Sequence, residues 1–222
     1  MGVPKWTQSA KIASLLLAAI SASGSVIKFL IEHDADPNAR TAARLTPLLF
    51  VVTTRLYEWP VESLLKGGDD VNARTCEGEQ PLNILVKSAT YRGIPNKPET
   101  CVRMLLADGA DVNLAYRLKR PPILHALRSP RGFSLFKFLY SRGAKVDVVD
   151  SDGNSILHYL ALYGTLKQIR YLGNGRLENV DPGLLNNENR SPLSCFEWRK
   201  MAEKGDLAPG IAPPGASEVA AF

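Results

Sequence analysis

The chain has 222 residues, of which 45% are hydrophobic and 22% charged, so it has enough apolar residues to bury a core and lacks the composition of a disordered chain. Its net charge of +5 is a mild basic bias that we interpret as ordinary solubility, which disfavours a tail that coats nucleic acid. Three widely spaced cysteines exclude a disulfide framework and a zinc knuckle, and they predict a reducing, intracellular compartment, cytoplasmic or nuclear.

The N-terminal region begins with a leader at residues 1–9, in which we find no pattern, and continues with an apolar stretch at residues 12–20. That stretch is too short to span a bilayer, so we predict no transmembrane segment there. It is either the first helix of the folded domain or the centre of a secretory signal peptide that ends in small residues at 21–23. We favour the helix, because removing it would leave the next helix, near residues 25–33, without a partner.

A nine-residue pattern recurs along the chain. It predicts the end of a helix, a residue that stops the helix, and an extended segment after it. Its copies lie at residues 30–38, 64–72, 105–113, 139–147 and, in degenerate form, 171–179. The last residues of successive copies are 34, 41, 34 and 32 positions apart. A period near 33 residues indicates a repeat array.

A second motif, a helix start of the Thr-Pro-Leu-His type, follows in register with the first. Incomplete copies lie at residues 46–49, 80–83, 122–125, 155–158 and 191–194. With both motifs in register over roughly residues 13–200, the chain resembles the ankyrin repeat family. The resemblance implies an all-α solenoid of about five stacked helix–turn–helix repeats, with short β-hairpin turns and a C-terminal capping helix.

The repeat register divides the chain into a repeat domain at residues 10–203 and a tail at 204–222, which is rich in Ala, Pro and Gly and is predicted to be disordered. Helix pairs are predicted near residues 13–33, 47–66, 81–107, 122–141 and 156–173, and the capping helix at 192–203. The second helices carry apolar stripes at helical spacing, such as Val61, Leu64 and Leu65.

A left-handed residue is predicted after each second helix, because glycine ends a helix there without a steric cost. Asp34 takes this place in the first repeat, and the glycines that fit it in the others are Gly68, Gly109, Gly143 and Gly175.

Each hairpin turn needs a similar residue three positions before the next helix start. Gly78 and Gly153 supply it, and Asn189 is a reasonable substitute. Arg44 and Arg120 occupy the same position in two repeats, so we expect those two hairpins to be irregular or strained.

The third helix pair contains about seven additional residues. We predict that residues 90–98, with one glycine and two prolines, lengthen the turn between its helices. This insertion is either drift in a surface loop, which tolerates added length at small cost, or a dedicated contact loop.

No combination of residues predicts catalysis, a cofactor or a metal site. Ser155 and His158 are predicted to fix a helix start rather than to form a nucleophile pair, as the family's Thr and His do. Asp147, Asp150 and Asp152 are interpreted as a solvated turn, since the acidic residue that a calcium loop needs further on is missing. The chain is therefore predicted to be a non-enzymatic protein without a small-molecule substrate.

The resemblance implies a scaffold or adaptor that binds an unidentified protein through its hairpin tips and first helices. The candidate contact residues are Arg40, Arg44, Arg74, Glu77, Tyr116, Arg117, Lys119, Arg120, Asp150 and Asp152. Their charges run basic, mixed, basic and acidic along the repeats, which suits a protein partner of mixed charge. The alternatives are a binder of nucleic acid or an anionic surface through the basic tips, and a fragment of a larger ankyrin repeat protein whose function lies elsewhere.

Overall fold

The computed structural model describes residues 7–21, 23–54, 58–92, 98–115, 120–173 and 177–201. The chain divides into two compact units, Met1–Asp111 and Val112–Phe222, and each is described by itself. The predicted tail at 204–222, most of the leader and most of the inserted turn lie outside the described residues.

The first unit contains three helix pairs in the part of it that the structure describes. These are α1 (Gln8–Ile20) with α2 (Gly24–Glu32), α3 (Pro47–Thr54) with α4 (Glu58–Lys66), and α5 (Pro81–Arg92) with α6 (Pro98–Ala107). The first helices pack against one another, α1 on α3 and α3 on α5, and the second helices do the same, α2 on α4 and α4 on α6. Two layers of helices result, as in a stack of helical hairpins.

The second unit continues the same pattern among its described residues. Its helices are α7 (Pro122–Leu127), α8 (Phe133–Ser141), α9 (Ile156–Tyr163), α10 (Leu166–Gly173) and α11 (Pro192–Met201), with a short 3₁₀ turn at Pro130–Gly132. The last helix packs on α9, where Cys195 and Phe196 are buried against Ala161. The predicted fold class, helix-pair repeats with a C-terminal capping helix, is confirmed.

The core consists of the apolar stripes that the periodicity predicts. Val61 and Leu64 of α4 are fully buried, and Leu65 at the edge of the stripe is half-buried. Each fully buried aliphatic side chain contributes roughly 1.5–3 kcal/mol to folding, so these stripes hold neighbouring repeats together.

Left-handed residues end the second helices as predicted. Gly68 has a φ of 87°, and its amide bonds to the carbonyl oxygen of Leu65, which satisfies one of the last carbonyl groups of α4. Gly109, Gly143 and Asp34 also have positive φ values, whereas Gly175 lies outside the described residues.

The predicted β-hairpins are present as tight turns rather than as strands within the described residues. In the second hairpin (residues 74–79), the Thr75 amide bonds to the Glu79 carbonyl oxygen at 3.0 Å and the Gly78 amide to that of Thr75 at 3.0 Å. The single β-bridge recorded for the described residues joins Val149 to Ser155. The two segments that flank each turn pass into helices within a few residues, so they are too short to form further β-bridges.

Two predicted boundaries are wrong. The leader does not extend to residue 9, because α1 begins at Gln8, where the Thr7 hydroxyl accepts a hydrogen bond from the Ala10 amide. The inserted turn does not begin at residue 90, because α5 continues to Arg92 and the Thr90 hydroxyl donates to the Val86 carbonyl oxygen within the helix.

None of the described helices has the length and apolar character that crossing a lipid bilayer requires.

Candidate interaction surface

A cleft of about 590 Å³ lies between the first hairpin (residues 40–45) and the second. We call it the arginine cleft, and its lining residues are Arg40, Arg44, Asp70, Asn72, Arg74, Thr75, Cys76 and Gly78. The three arginines are exposed and lie among the predicted contact residues. The structure thus brings together three side chains that are up to 34 positions apart in the sequence.

Arg40 connects the two hairpins. Its Nη1 atom donates to the carbonyl oxygen of Arg74 at 2.9 Å and to that of Arg44 at 3.4 Å. One end of the guanidinium is thereby fixed to the main chain of both hairpins. Within the described residues its Nε and Nη2 atoms have no hydrogen-bond acceptor, so that edge of the group keeps its donors for a ligand.

Asparagine side chains set the spacing of the repeats beneath the cleft. The Asn38 amide group donates to the Gly68 carbonyl oxygen at 2.8 Å, and its oxygen accepts from the Asp70 amide at 2.6 Å. Asn72 donates in the same way to Gly109, at 3.1 Å. In the sequence these asparagines mark only the period, and their recurrence after each stop is the signal that could have indicated this cross-repeat role.

Arg44 has the strained backbone that its position predicts. Its φ is 58°, close to the 84° of Gly78 at the same position of the next hairpin, and its amide bonds to the Thr41 carbonyl oxygen at 2.8 Å. A residue with a Cβ atom in this region costs about 1–2 kcal/mol relative to an ordinary conformation. The turn geometry enforces the strain, since both hairpins close in the same way.

The charge in the arginine cleft is unbalanced. Asp70 is the acidic residue of its lining, so three positive charges face one negative charge, a net of +2. The Asp70 carboxylate accepts from the Asn72 amide at 2.9 Å. Within the described part of the chain, no carboxylate forms an ion pair with Arg40, Arg44 or Arg74.

The prediction that Arg120 and Asp150 are surface contacts is wrong. The Asp150 side chain is fully buried, and the Arg120 guanidinium, 12% exposed, lies 3.1 Å from it. The Tyr159 hydroxyl also donates to this carboxylate, at 2.8 Å. Burial acts to raise the pKa of Asp150, but hydrogen bonds from Asn154, Tyr159 and Arg120 together hold it below its ordinary value. The pair is internal and holds the hairpin at residues 149–155.

The remaining predicted contact residues divide into two groups. Glu77 is exposed on the second hairpin, and Asp152 is exposed beside the internal pair, 3.5 Å from Arg120. Tyr116, Arg117 and Lys119 lie outside the described residues.

Ser155 and His158 form the predicted local structure at the start of α9. The imidazole Nδ1 lies 2.9 Å from the Ser155 hydroxyl oxygen and accepts from its amide at 3.1 Å, while Nε2 lies 2.9 Å from the Arg190 carbonyl oxygen. Both side chains are buried, so the serine is not accessible to a substrate.

A second cavity, of about 700 Å³, lies between α2 and α4. Its charged side chains pair with each other, Lys28 with Glu32 at 3.7 Å and Lys66 with Glu62 at 2.6 Å. Trp59 is 70% exposed at its edge. This cavity lacks the unbalanced charge of the arginine cleft.

Comparison with known proteins identifies relatives and a structural neighbour. No family model matches the chain. It is 33% identical over 113 residues to ankyrin repeat and SOCS box protein 16 of Mus musculus, covering 51% of this chain and 24% of that protein. It is 30% identical over 133 residues to ankyrin repeat and SOCS box protein 6 of Homo sapiens, covering 57% of this chain and 30% of that protein.

Among solved structures, the ankyrin repeat domain of Bcl-3, described as a unique member of the IkappaB protein family, matches with a TM-score of 0.68 and 27% identity. The match covers 82% of this chain and 76% of that one. By contrast, the chain spans less than a third of the length of the two curated relatives.

Proposed function

The chain belongs to the ankyrin repeat family, as its motifs, its fold and its relatives together indicate, and on that premise we propose that it is a non-enzymatic protein-interaction module. It acts as a scaffold or adaptor and contacts a partner protein through its hairpin tips and first helices. The observation that carries this proposal is the arginine cleft, where three exposed arginines from two hairpins face a single carboxylate.

The properties of the cleft favour binding over chemistry. The described groups whose pKa is clearly raised are buried in the packing, outside both cavities. Burial raises the pKa of Asp69 to about 7 and that of Cys101 to about 11. Such raised values reflect desolvation in the core. The cleft instead offers fixed positive charge on an ordered backbone.

The backbone of the cleft is organised before a partner arrives. The Asn38 and Asn72 side chains hold adjacent repeats at fixed spacing, and Arg40 ties the hairpins together. A preorganised surface loses less conformational entropy on binding, which favours affinity. Arginine is also among the residue types that contribute most at protein interfaces.

We propose further that the protein acts in the cytoplasm or nucleus. Its described cysteines are free, and two of them, Cys101 and Cys195, are buried. Buried free thiols fit a reducing compartment.

The proposal is tested by affinity capture from cells that express the protein. The bait is compared with a double variant, Arg44→Glu and Arg74→Glu, in which the charge of the cleft is reversed. The matched control is Lys167→Glu with Arg170→Glu on α10, since both side chains are exposed and the net charge changes by the same amount. We expect a partner protein that the wild type and the control retain and the cleft variant loses.

Circular dichroism of each bait checks that it is folded. Capture of the same proteins by all three folded baits would contradict binding through the cleft. Binding that survives in the cleft variant but ends when nuclease is added would favour the nucleic-acid alternative instead.

A further inference from the structure

We propose, as a refinement that rests on the interaction module proposed above, that the arginine cleft binds an extended acidic segment of a partner protein. Two carboxylates of that segment, three residues apart, pair with arginines of the first and second hairpins. Three features of the structure and one expectation from helix packing support this occupant.

The first feature is the charge of the cleft. Its lining carries a net charge of +2, and in the described chain none of its three arginines has a carboxylate partner. Elsewhere in the protein an arginine of the same hairpin position, Arg120, does have one. A ligand that supplies carboxylates would complete in the first unit the pairing that the second unit makes internally.

The second feature is the orientation of Arg40. Its Nη1 atom is held by two carbonyl oxygens, which leaves the Nε and Nη2 hydrogens directed along the other edge of the guanidinium. That edge carries two parallel donors and matches the two oxygens of a carboxylate. Because the fold already orders the side chain, little of its rotamer freedom remains to be lost on binding.

The third feature is the strained backbone of Arg44. Glycine would close the turn without strain, as Gly78 does one repeat later. Strained residues that persist in a fold are concentrated at ligand-binding sites. Within the described residues the Arg44 guanidinium forms no ion pair, so its charge is available to a carboxylate of a ligand.

The fourth argument is the spacing that helix packing predicts for hairpins of adjacent repeats. Packed helices lie about 8–10 Å apart, so hairpins of adjacent repeats are separated by a similar distance. A chain in the polyproline II conformation has three residues per turn and advances about 3.1 Å per residue. Residues i and i+3 of such a chain therefore lie on one side about 9 Å apart, which matches one carboxylate per hairpin.

The experiment uses the exposed thiol of Cys76 in the cleft as its reporter. The other two cysteines, Cys101 and Cys195, are buried, and burial raises the pKa of each thiol. Iodoacetamide therefore alkylates Cys76 first, and mass spectrometry follows the rate. The probe is a synthetic peptide with glutamate at every third position in a proline background. Its control has glutamine at the same positions.

We expect the glutamate peptide to slow alkylation of Cys76 and the glutamine peptide to leave the rate unchanged. Arg74→Gln should weaken the protection about tenfold, while the urea midpoint stays unchanged because Arg74 contributes its carbonyl group, and no recorded side-chain bond, to the fold. Arg44→Gly should also weaken protection although it relieves backbone strain. Lys167→Gln on α10 is the matched control and should change nothing.

Three outcomes would overturn the proposal. The first is equal protection by both peptides, and the second is protection that Arg74→Gln leaves intact. The third is protection by a single-stranded oligonucleotide with none by the glutamate peptide, which would assign the cleft to nucleic acid. Inorganic phosphate at matched ionic strength is the control that separates protection by the glutamate peptide from general screening by anions.

These results separate the refinement from the interaction module itself. If the glutamate peptide fails but the cleft variant still loses its partner in affinity capture, the acidic segment is wrong and the module stands. If affinity capture also gives no difference, both proposals fail.

Discussion

Arg44 and Arg120 occupy the same position in the repeat register, but within the described residues only Arg120 has a carboxylate partner. In the second unit, the Asp150 carboxylate accepts from the amides of Asp152 and Asn154 at 2.9 Å and pairs with Arg120 through its other oxygen. In the first unit, Thr75 occupies the hairpin position that Asp150 has in the second unit.

Thr75 performs only half of that role. Its hydroxyl accepts from the amides of Glu77 and Glu79, at 3.3 Å and 3.2 Å, so the turn is closed. It has no second oxygen and no charge for an arginine of the preceding hairpin. The comparison shows that a residue one repeat away decides whether an arginine at a hairpin tip pairs inside the fold or remains available to a partner.

The largest effect is expected from Asp150→Thr, which gives the second unit the residue that the first unit has at this hairpin position. A buried pair that loses one partner leaves an uncompensated charge, and such changes cost about 3–5 kcal/mol. Urea unfolding measures the loss. Arg44→Gln, which removes the equivalent arginine of the first unit, is the control and should shift the free energy of unfolding by less than about 0.5 kcal/mol. Equal losses in the two variants would mean that Arg44 is also paired inside the fold.

The two units should respond oppositely to pH. Asp69 is buried where Ala110 and Ala144 stand in other repeats, and its carboxylate accepts from the Leu48 amide at 3.0 Å. Burial raises its pKa from 3.8 to about 7. The folded state therefore holds this proton more tightly, so its contribution is complete below pH 3.8 and is lost as the pH rises to about 7.

The pKa of Asp150 is lowered, so its contribution is present above 3.8 and is lost as the pH falls below that value. Urea unfolding between pH 4.5 and 7.5 isolates the Asp69 effect, which we expect to reach about 2–4 kcal/mol. In Asp69→Asn that pH dependence should disappear. A slope that persists in this variant would assign the effect to another group.

A smaller effect is expected from Thr75→Asp, which gives the first unit the aspartate that the second unit has at this hairpin position. The new carboxylate should pair with Arg44 across the hairpins and occupy the cleft from within, because Asp150 pairs with Arg120 at the same positions. We expect binding of the acidic peptide to fall about tenfold, a loss of about 1.4 kcal/mol. Thr75→Asn keeps the turn without the charge and should bind as the wild type does, so a loss in both variants would point to the turn geometry instead.

The smallest effect is expected from Arg44→Gly, which should raise the free energy of unfolding by roughly 0.5–1 kcal/mol. Thermal unfolding measures the gain. Asn189→Gly relieves the same conformation, with a φ of 57°, in another hairpin, and should gain less because asparagine tolerates positive φ better. A loss of stability in Arg44→Gly would show that the arginine side chain supports the fold.

The repeat architecture was predictable because it depends on local signals. The stop at Gly68 and the stripe of Val61 and Leu64 follow from helix geometry and the period of the pattern, and the structure agrees with both. The start of α1 was not predicted, since the Thr7 cap lacks a repeat signal and was interpreted as leader. The strained position of Arg44 was predicted because the hairpin register identified a glycine position occupied by a bulky residue.

The candidate site was only partly predictable from the sequence. The order of the tips along the chain indicated Arg40, Arg44 and Arg74 as candidates, and the structure brings them into one cleft. The same reasoning classified Asp150 as a surface residue, although it is buried. A charged residue in a turn is exposed by default. The burial of Asp150 becomes favourable because its carboxylate accepts from the nearby amides of Asp152 and Asn154, and also from Tyr159 and from an arginine one repeat away.

By itself the sequence determined the period, the helix pairs, the stops between them and the positions that need a positive φ, because each depends on residues within one turn or one helix. The tertiary structure alone decided which tip charges are neutralised inside the fold and which remain open. That choice depends on pairs about 30 positions apart, such as Arg120 with Asp150. Such distances become hydrogen-bond contacts only when one repeat is stacked on the next.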